Sequence, residues 1–230
     1  MRRKAQPLES YRGIEHDIRK DVDPQRLAAI GAITLAWNEF EALLDDAFGF
    51  ALQLKPQIWL DITSRINGFD GKVAILKRAC AEVQGIPQAM LVAIADMIGA
   101  AEVYKRYRDG VIHAVFTEPS PTVAPTARRR GLIDEALVTQ EALEALYVRI
   151  IAVRAEMNAL NALLFGMNMT SIWADRISDS DKKRVLGDIP ACVSQFLDLQ
   201  QSRKSLPPLP EFPSERPSHR ASEAPPTPPK

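Results

Sequence analysis

The stretch that decides the fold is I30-G-A-I-T-L-A-W-N-E-F-E-A-L-L44. Ile30, Ile33, Trp37, Phe40 and Leu44 recur at spacings of three and four, and Leu27, Phe48 and Ala51 extend the series on either side. That is the period of an amphipathic α-helix, not the alternation of a strand. Asp23-Pro24 supplies a start signal, with aspartate as the cap and proline at the first helical position, where its missing N–H costs nothing. The helix is expected to run to about Leu54, before Lys55-Pro56.

The same period continues outward from this stretch. A short helix is expected through P56-Q-I-W-L-D-I-T-S-R-I66, closed by Asn67-Gly68. Val73, Leu76, Cys80 and Val83 make a stripe that stops near Gly85, and Leu91, Ile94, Ile98 and Ala101 make another. Residues 117–138 hold three prolines and a triple-arginine run, which predicts a long loop or a short hairpin. Thr139 can cap a further long helix carrying Leu143, Leu146, Ile150, Met157, Leu160 and Leu164 up to Gly166. Shorter helices are expected around residues 171–177 and 181–201, the latter interrupted at Gly187 and Pro190.

The expected fold is therefore all-α, an antiparallel bundle of about four to five main helices. Residues 1–22 read as a polar N-terminal extension, 23–203 as the helical domain, and 204–230 as a proline-rich tail expected to be disordered. Prolines 207 and 210 have a docking-motif spacing, which composition of this kind produces readily.

Twenty-nine basic residues balance twenty-nine acidic ones, so no global field draws the molecule to nucleic acid or anionic membranes, and an RNA-binding role needs a local patch. No secretory signal and no run of about 18 uninterrupted apolar residues is seen, so a cytoplasmic, non-membrane protein is expected. Cys80 and Cys192 lack metal-site spacing and read as reduced thiols. Glycine-rich phosphate loops, His-x-x-x-His sites and Gly-x-Ser-x-Gly elbows are absent from the sequence, so no metal or other cofactor is expected.

Chemistry concentrates in Y104-K-R-Y-R-D-G-V-I-H-A-V-F116. On a helix Asp109 and His113 share a face, close enough for the carboxylate to orient the imidazole. Arg108 lies about 140° round from His113, and Gly110 can bend the backbone between them. A histidine titrating near neutrality beside a fixed cation suits metal-free cleavage of RNA, which needs a base, an acid and a charge to stabilise the phosphorane. Lys105, Arg106 and Arg128, Arg129 and Arg130 are candidate contacts to the RNA backbone. Glu41 falls on the apolar stripe of the first helix. It either reaches solvent or is paired by Arg108 or Lys72, which makes it and Lys72 candidate supporting residues.

Arg108-Asp109-x-x-x-His113 resembles the Arg-polar-x(3 to 5)-His signature of the HEPN superfamily, small all-helical proteins that include metal-independent RNases of toxin, phage-defence and stress systems. I30–L44, followed by Lys72 in G71-K-V-A-I-L-K-R-A79, is similar to the helical lead-in of bacterial HEPN-like proteins, and the likeness spans about residues 24–165. It implies that Arg108 stabilises the transition state, His113 acts as acid and base, and Asp109 orients them. It also implies a homodimer whose two motifs form one site, with an antitoxin or other protein partner. The alternatives are a non-catalytic HEPN-like module binding a partner protein or nucleotide, and a helical scaffold without a ligand.

Overall fold

The computed structural model describes residues 24–66, 68–83, 85–116, 139–171 and 177–209. Among them lie six helices and no strand: α1 (Pro24–Ala51), α2 (Pro56–Arg65), α3 (Phe69–Glu82), α4 (Gln88–Phe116), α5 (Gln140–Ser171) and α6 (Asp179–Lys204). The all-α bundle expected from periodicity is what forms. The expected loop or hairpin over 117–138, the helix around 171–177 except its end residues, the Asp23 cap, and the extensions before residue 24 and after 209 lie outside the described residues.

Local chemistry sets the helix ends. Lys55 is extended ahead of Pro56, as the clash with a following proline ring requires. Thr139 Oγ1 accepts from the Ala142 amide at 3.2 Å, and Ser178 Oγ from the Asp181 amide at 3.1 Å, each satisfying one orphan donor. Asp179 and Asp181 at the start of α6, with Arg203 and Lys204 at its end, complement the helix dipole. Gly68, at φ 89°, turns the chain into α3 in a conformation that side chains disfavour.

One expectation is corrected. Helix α6 is one helix from Asp179 to Lys204, running through both Gly187 and Pro190, because its apolar face packs on α5 and the ring costs only local hydrogen bonding. Helix α4 continues unbroken past Gly110 to Phe116.

The core lies between α1 and α5, joined by α3, α4 and α6. Trp37, Phe40 and Phe69 cluster with ring centroids 5.2 to 6.3 Å apart, bolting α3 to α1. Helices α3 and α4 run antiparallel, as Lys77 meets Glu102, and so do α5 and α6, where Gly166 meets Val185 and Glu156 meets Arg203. Helices α1 and α5 instead run side by side in the same direction. Glu39 pairs with Arg154, the Asn161 amide donates to the Leu43 carbonyl, and Phe50 meets Phe165 edge to face with ring centroids 5.4 Å apart.

By length and apolar content α1 and residues 140–169 of α5 each suffice to cross a membrane, although polar residues interrupt the apolar run in both. A core helix has the same composition, and Trp37, Phe40 and Leu44 of α1 and Leu143, Leu146 and Ile150 of α5 are buried in this bundle.

Candidate functional site

Helix α4 enters the bundle as a core element, with Met90, Ile94, Met97 and Ile98 sealed inside, and, Asp96 apart, carries its charged groups between Glu102 and Asp109 before Val111 returns to the core. Its continuity decides where the charged groups fall. Asp109 sits one residue after Arg108 and one turn after Lys105, and both cations reach it. Arg108 Nη1 donates to Asp109 Oδ1 at 2.8 Å, and Lys105 Nζ donates to Oδ2 at 2.8 Å. All three side chains are only a quarter to a third exposed. Burial pushes the Asp109 carboxyl up, but the hydrogen bonds and charges of Lys105 and Arg108 outweigh it and hold the group below the usual aspartate value. The Asp109 hydrogen bond likewise raises Lys105 against the opposing effect of burial.

Two cations on one carboxylate leave the cluster with a net positive charge. Arg108 Nε is shielded from solvent and has no hydrogen-bond partner among the described residues. The guanidinium thus spends one edge on Asp109. His113 lies four residues on in the same helix, at the register position of Asp109; the side chains of residues 113–116 lie outside the described ones.

Of the two arrangements open for Glu41, the ion pair with Arg108 or Lys72 does not form. Lys72 meets Asp45, not Glu41, with Nζ 2.6 Å from Oδ1, and Arg108 turns to Asp109. Asp45 is one turn further along α1 than Glu41, at the level where the first turn of α3 crosses it. Glu41 is half-buried and forms no ion pair among the described residues. Arg106 is exposed, and Arg128, Arg129 and Arg130 lie outside the described residues.

A second polar centre was not foreseen. Arg203, near the end of α6, is inserted between α4 and α5. Its Nε donates to Glu156 Oε1 at 2.5 Å, and Nη2 donates to Asp96 Oδ2 at 2.5 Å. The Tyr104 hydroxyl accepts from the same guanidinium, and Gln200 Nε2 donates to Asp96 Oδ2 at 3.0 Å. Burial pushes the Arg203 pKa down, but Glu156, Asp96 and Tyr104 outweigh it and hold it above its ordinary value. Glu156 is wholly buried, and burial raises its carboxyl in spite of Arg203. The available signal was a glutamate on a second buried stripe of α5, beside Val153 and Leu160.

The fold and its polar clusters define an all-α helical bundle with a cationic, carboxylate-braced turn on α4. No family model, curated protein or solved structure matches the chain.

Proposed function

We propose that the chain is a metal-independent endoribonuclease of the HEPN type, a toxin or phage-defence effector acting on RNA inside the cell, with its site shared across a homodimer. The carrying observation is the unbroken α4, which brings Arg108, Asp109 and His113 within two turns of one helix and leaves that turn net positive. His113 takes the proton from a ribose 2′-hydroxyl, whose oxygen attacks the adjacent phosphorus. Arg108 stabilises the charge on the phosphorane oxygens, and Asp109 fixes Arg108. The second copy's His113 protonates the departing 5′-oxygen, leaving a 2′,3′-cyclic phosphate and a 5′-hydroxyl.

A non-catalytic HEPN-like module that binds a protein partner or a nucleotide is the second reading. It is favoured by Asp109, which already neutralises one of the cations available to a phosphate.

The test is cleavage of RNA by purified protein in EDTA. Cyclic-phosphate ends are expected, and His113→Ala and Arg108→Ala should each lower the rate by about 10² to 10⁴-fold with unchanged circular dichroism. Undiminished cleavage by His113→Ala would sink the catalytic reading. A monomer by light scattering at micromolar concentration would remove the shared site.

A further inference from the structure

Arg203 shows how this bundle holds a buried arginine: Glu156, Asp96 and the Tyr104 hydroxyl surround its guanidinium. Arg149 of α5 is buried as deeply, at 6% exposed, and has no such counterparts. Among the described residues its one hydrogen bond runs from Nη1 to the Ala145 carbonyl of its own helix, at 3.2 Å, and it forms no ion pair. One turn away on either side stand Ala145, Leu146, Ala152 and Val153, none of them acidic. A guanidinium keeps its charge at any working pH, so burial cannot be relieved by loss of the proton. A buried cation without a counter-charge is costly, and it favours any anion that can reach it.

The register of the helices carries Arg149 to Arg108. Arg149 precedes Glu156 by seven residues, about 20° round the helix, so both face the seam between α5 and α4. Gln200 reaches Ala93 and Asp96, and Arg203 reaches Asp96 and Tyr104, so α4 and α6 run parallel; α5, antiparallel to α6, is therefore antiparallel to α4. Arg203 sets Asp96 level with Glu156, and eleven residues from each, in opposite directions, bring Tyr107 level with Ala145. The bond to the Ala145 carbonyl thus holds the Arg149 guanidinium at the height of Tyr107 and Arg108. Arg108 lies on the α4 stripe of Tyr104 and Val111, both buried, and so faces the same seam. Helix α6 ends at Lys204, just past the Arg203–Glu156 contact, short of this level. Of the nearby acids, Asp109 is shared by Lys105 and Arg108, Asp70 acts on Lys105 from the start of α3, Glu102 pairs with Lys77, and Glu144 accepts from Gln140. Lys105, Arg108 and Arg149 against Asp109 and Asp70 leave the seam positive.

We propose that Arg149 and Arg108 form a phosphate-binding site in the α4–α5 seam, which takes the phosphodiester of an RNA strand or the phosphate of a nucleotide. Arginine forks suit phosphate oxygens, and the ion supplies the counter-charge that Arg149 lacks. Only the RNA source rests on the nuclease reading above; the phosphate site does not.

The test compares the full chain with Arg149→Met, which keeps the length of the side chain and removes the charge. In phosphate-free buffer the substitution should raise the thermal midpoint, because an uncompensated buried charge is gone. Inorganic phosphate should raise the parent's midpoint by about 2–4 °C more than that of Arg149→Met, which reports the general salting effect alone. A 2′-O-methyl oligoribonucleotide, which has no free 2′-hydroxyl to attack, should bind Arg149→Met about 10- to 100-fold more weakly by fluorescence anisotropy. Binding of AMP through Arg149 without binding of the oligonucleotide would name a nucleotide as the source. The proposal is overturned if Arg149→Met lowers the midpoint in phosphate-free buffer, since the chain then supplies its own counter-charge. It is equally overturned if phosphate, AMP and the oligonucleotide act alike on both proteins, even where His113→Ala abolishes RNA cleavage. Arg149-dependent binding by a protein that cleaves no RNA would uphold the site and remove the nuclease.

Discussion

Arg203 and Glu156 meet at 2.5 Å, Nε to Oε1, with the carboxylate sealed from solvent and the guanidinium side chain 7% exposed. The pair fastens the last turn of α6 to the middle of α5, and through Asp96 to α4. Removing one member strands a buried charge, which typically costs about 3–5 kcal/mol, whereas replacing both by apolar groups is often neutral. Arg203→Met is therefore expected to lower unfolding free energy in urea by about that amount, and Arg203→Met with Glu156→Leu to recover most of it. Additive losses in the double variant would show that the two residues act separately.

Asp96 and Asp109 set the acid limit. Burial pushes both carboxyls up, but Arg203, Gln200 and Lys204 around Asp96, and Lys105 and Arg108 around Asp109, leave both below the ordinary value of 3.8. A carboxylate lowered by folding contributes stability that is complete above its unfolded pKa and is lost as pH falls through the folded one. Glu156, raised by burial, has the opposite sign: its contribution weakens as pH rises through and above 4.5. Urea midpoints followed from about pH 5 to about pH 2 should fall less steeply for Asp96→Asn and Asp109→Asn than for the parent. An unchanged slope in both would mean that these ion pairs persist in the unfolded chain.

At Gly49 the backbone of α1 lies close against Trp59 of α2. A Cβ added there would stand 2.3 Å from the Trp59 ring, near the stem of that side chain, so the ring cannot swing clear. Gly49→Ala is expected to cost about 1–3 kcal/mol through overpacking, in spite of alanine's better helix propensity. In a Trp59→Ala background the sign should reverse, with Gly49→Ala stabilising by up to about 1 kcal/mol. Thermal unfolding of the four proteins would show whether it does.

Where side chains are apolar, the sequence was a good guide. Ile30, Ile33, Trp37, Phe40 and Leu44 on α1, and Leu143, Leu146, Ile150, Met157, Leu160 and Leu164 on α5, are all buried as their spacing required. Periodicity treats charge as outward-facing, however, so it passed over Glu156 and Arg203, which compensate one another inside. It also carries no information about direction, so the common heading of α1 and α5 came only with the structure. At the candidate site, Arg108, Asp109 and Lys105 do come together. Of the alternatives open for Glu41, pairing with Lys72 is not the one that forms: Lys72 meets Asp45, one turn further along α1, a distance that residue spacing cannot resolve.

The common heading of α1 and α5 has a further consequence for the making of the protein. The Glu39–Arg154 pair that joins them bridges a sequence separation of 115. Contacts of that separation slow folding, because the loop entropy is lost before the packing is gained. At about 5–20 residues per second on the ribosome, α1 emerges several seconds before its partner. For that interval Trp37, Phe40 and Leu44 have no α5 to cover them, and among the described residues only the helices made before α5, with Phe69 of α3, are there to pack on the first.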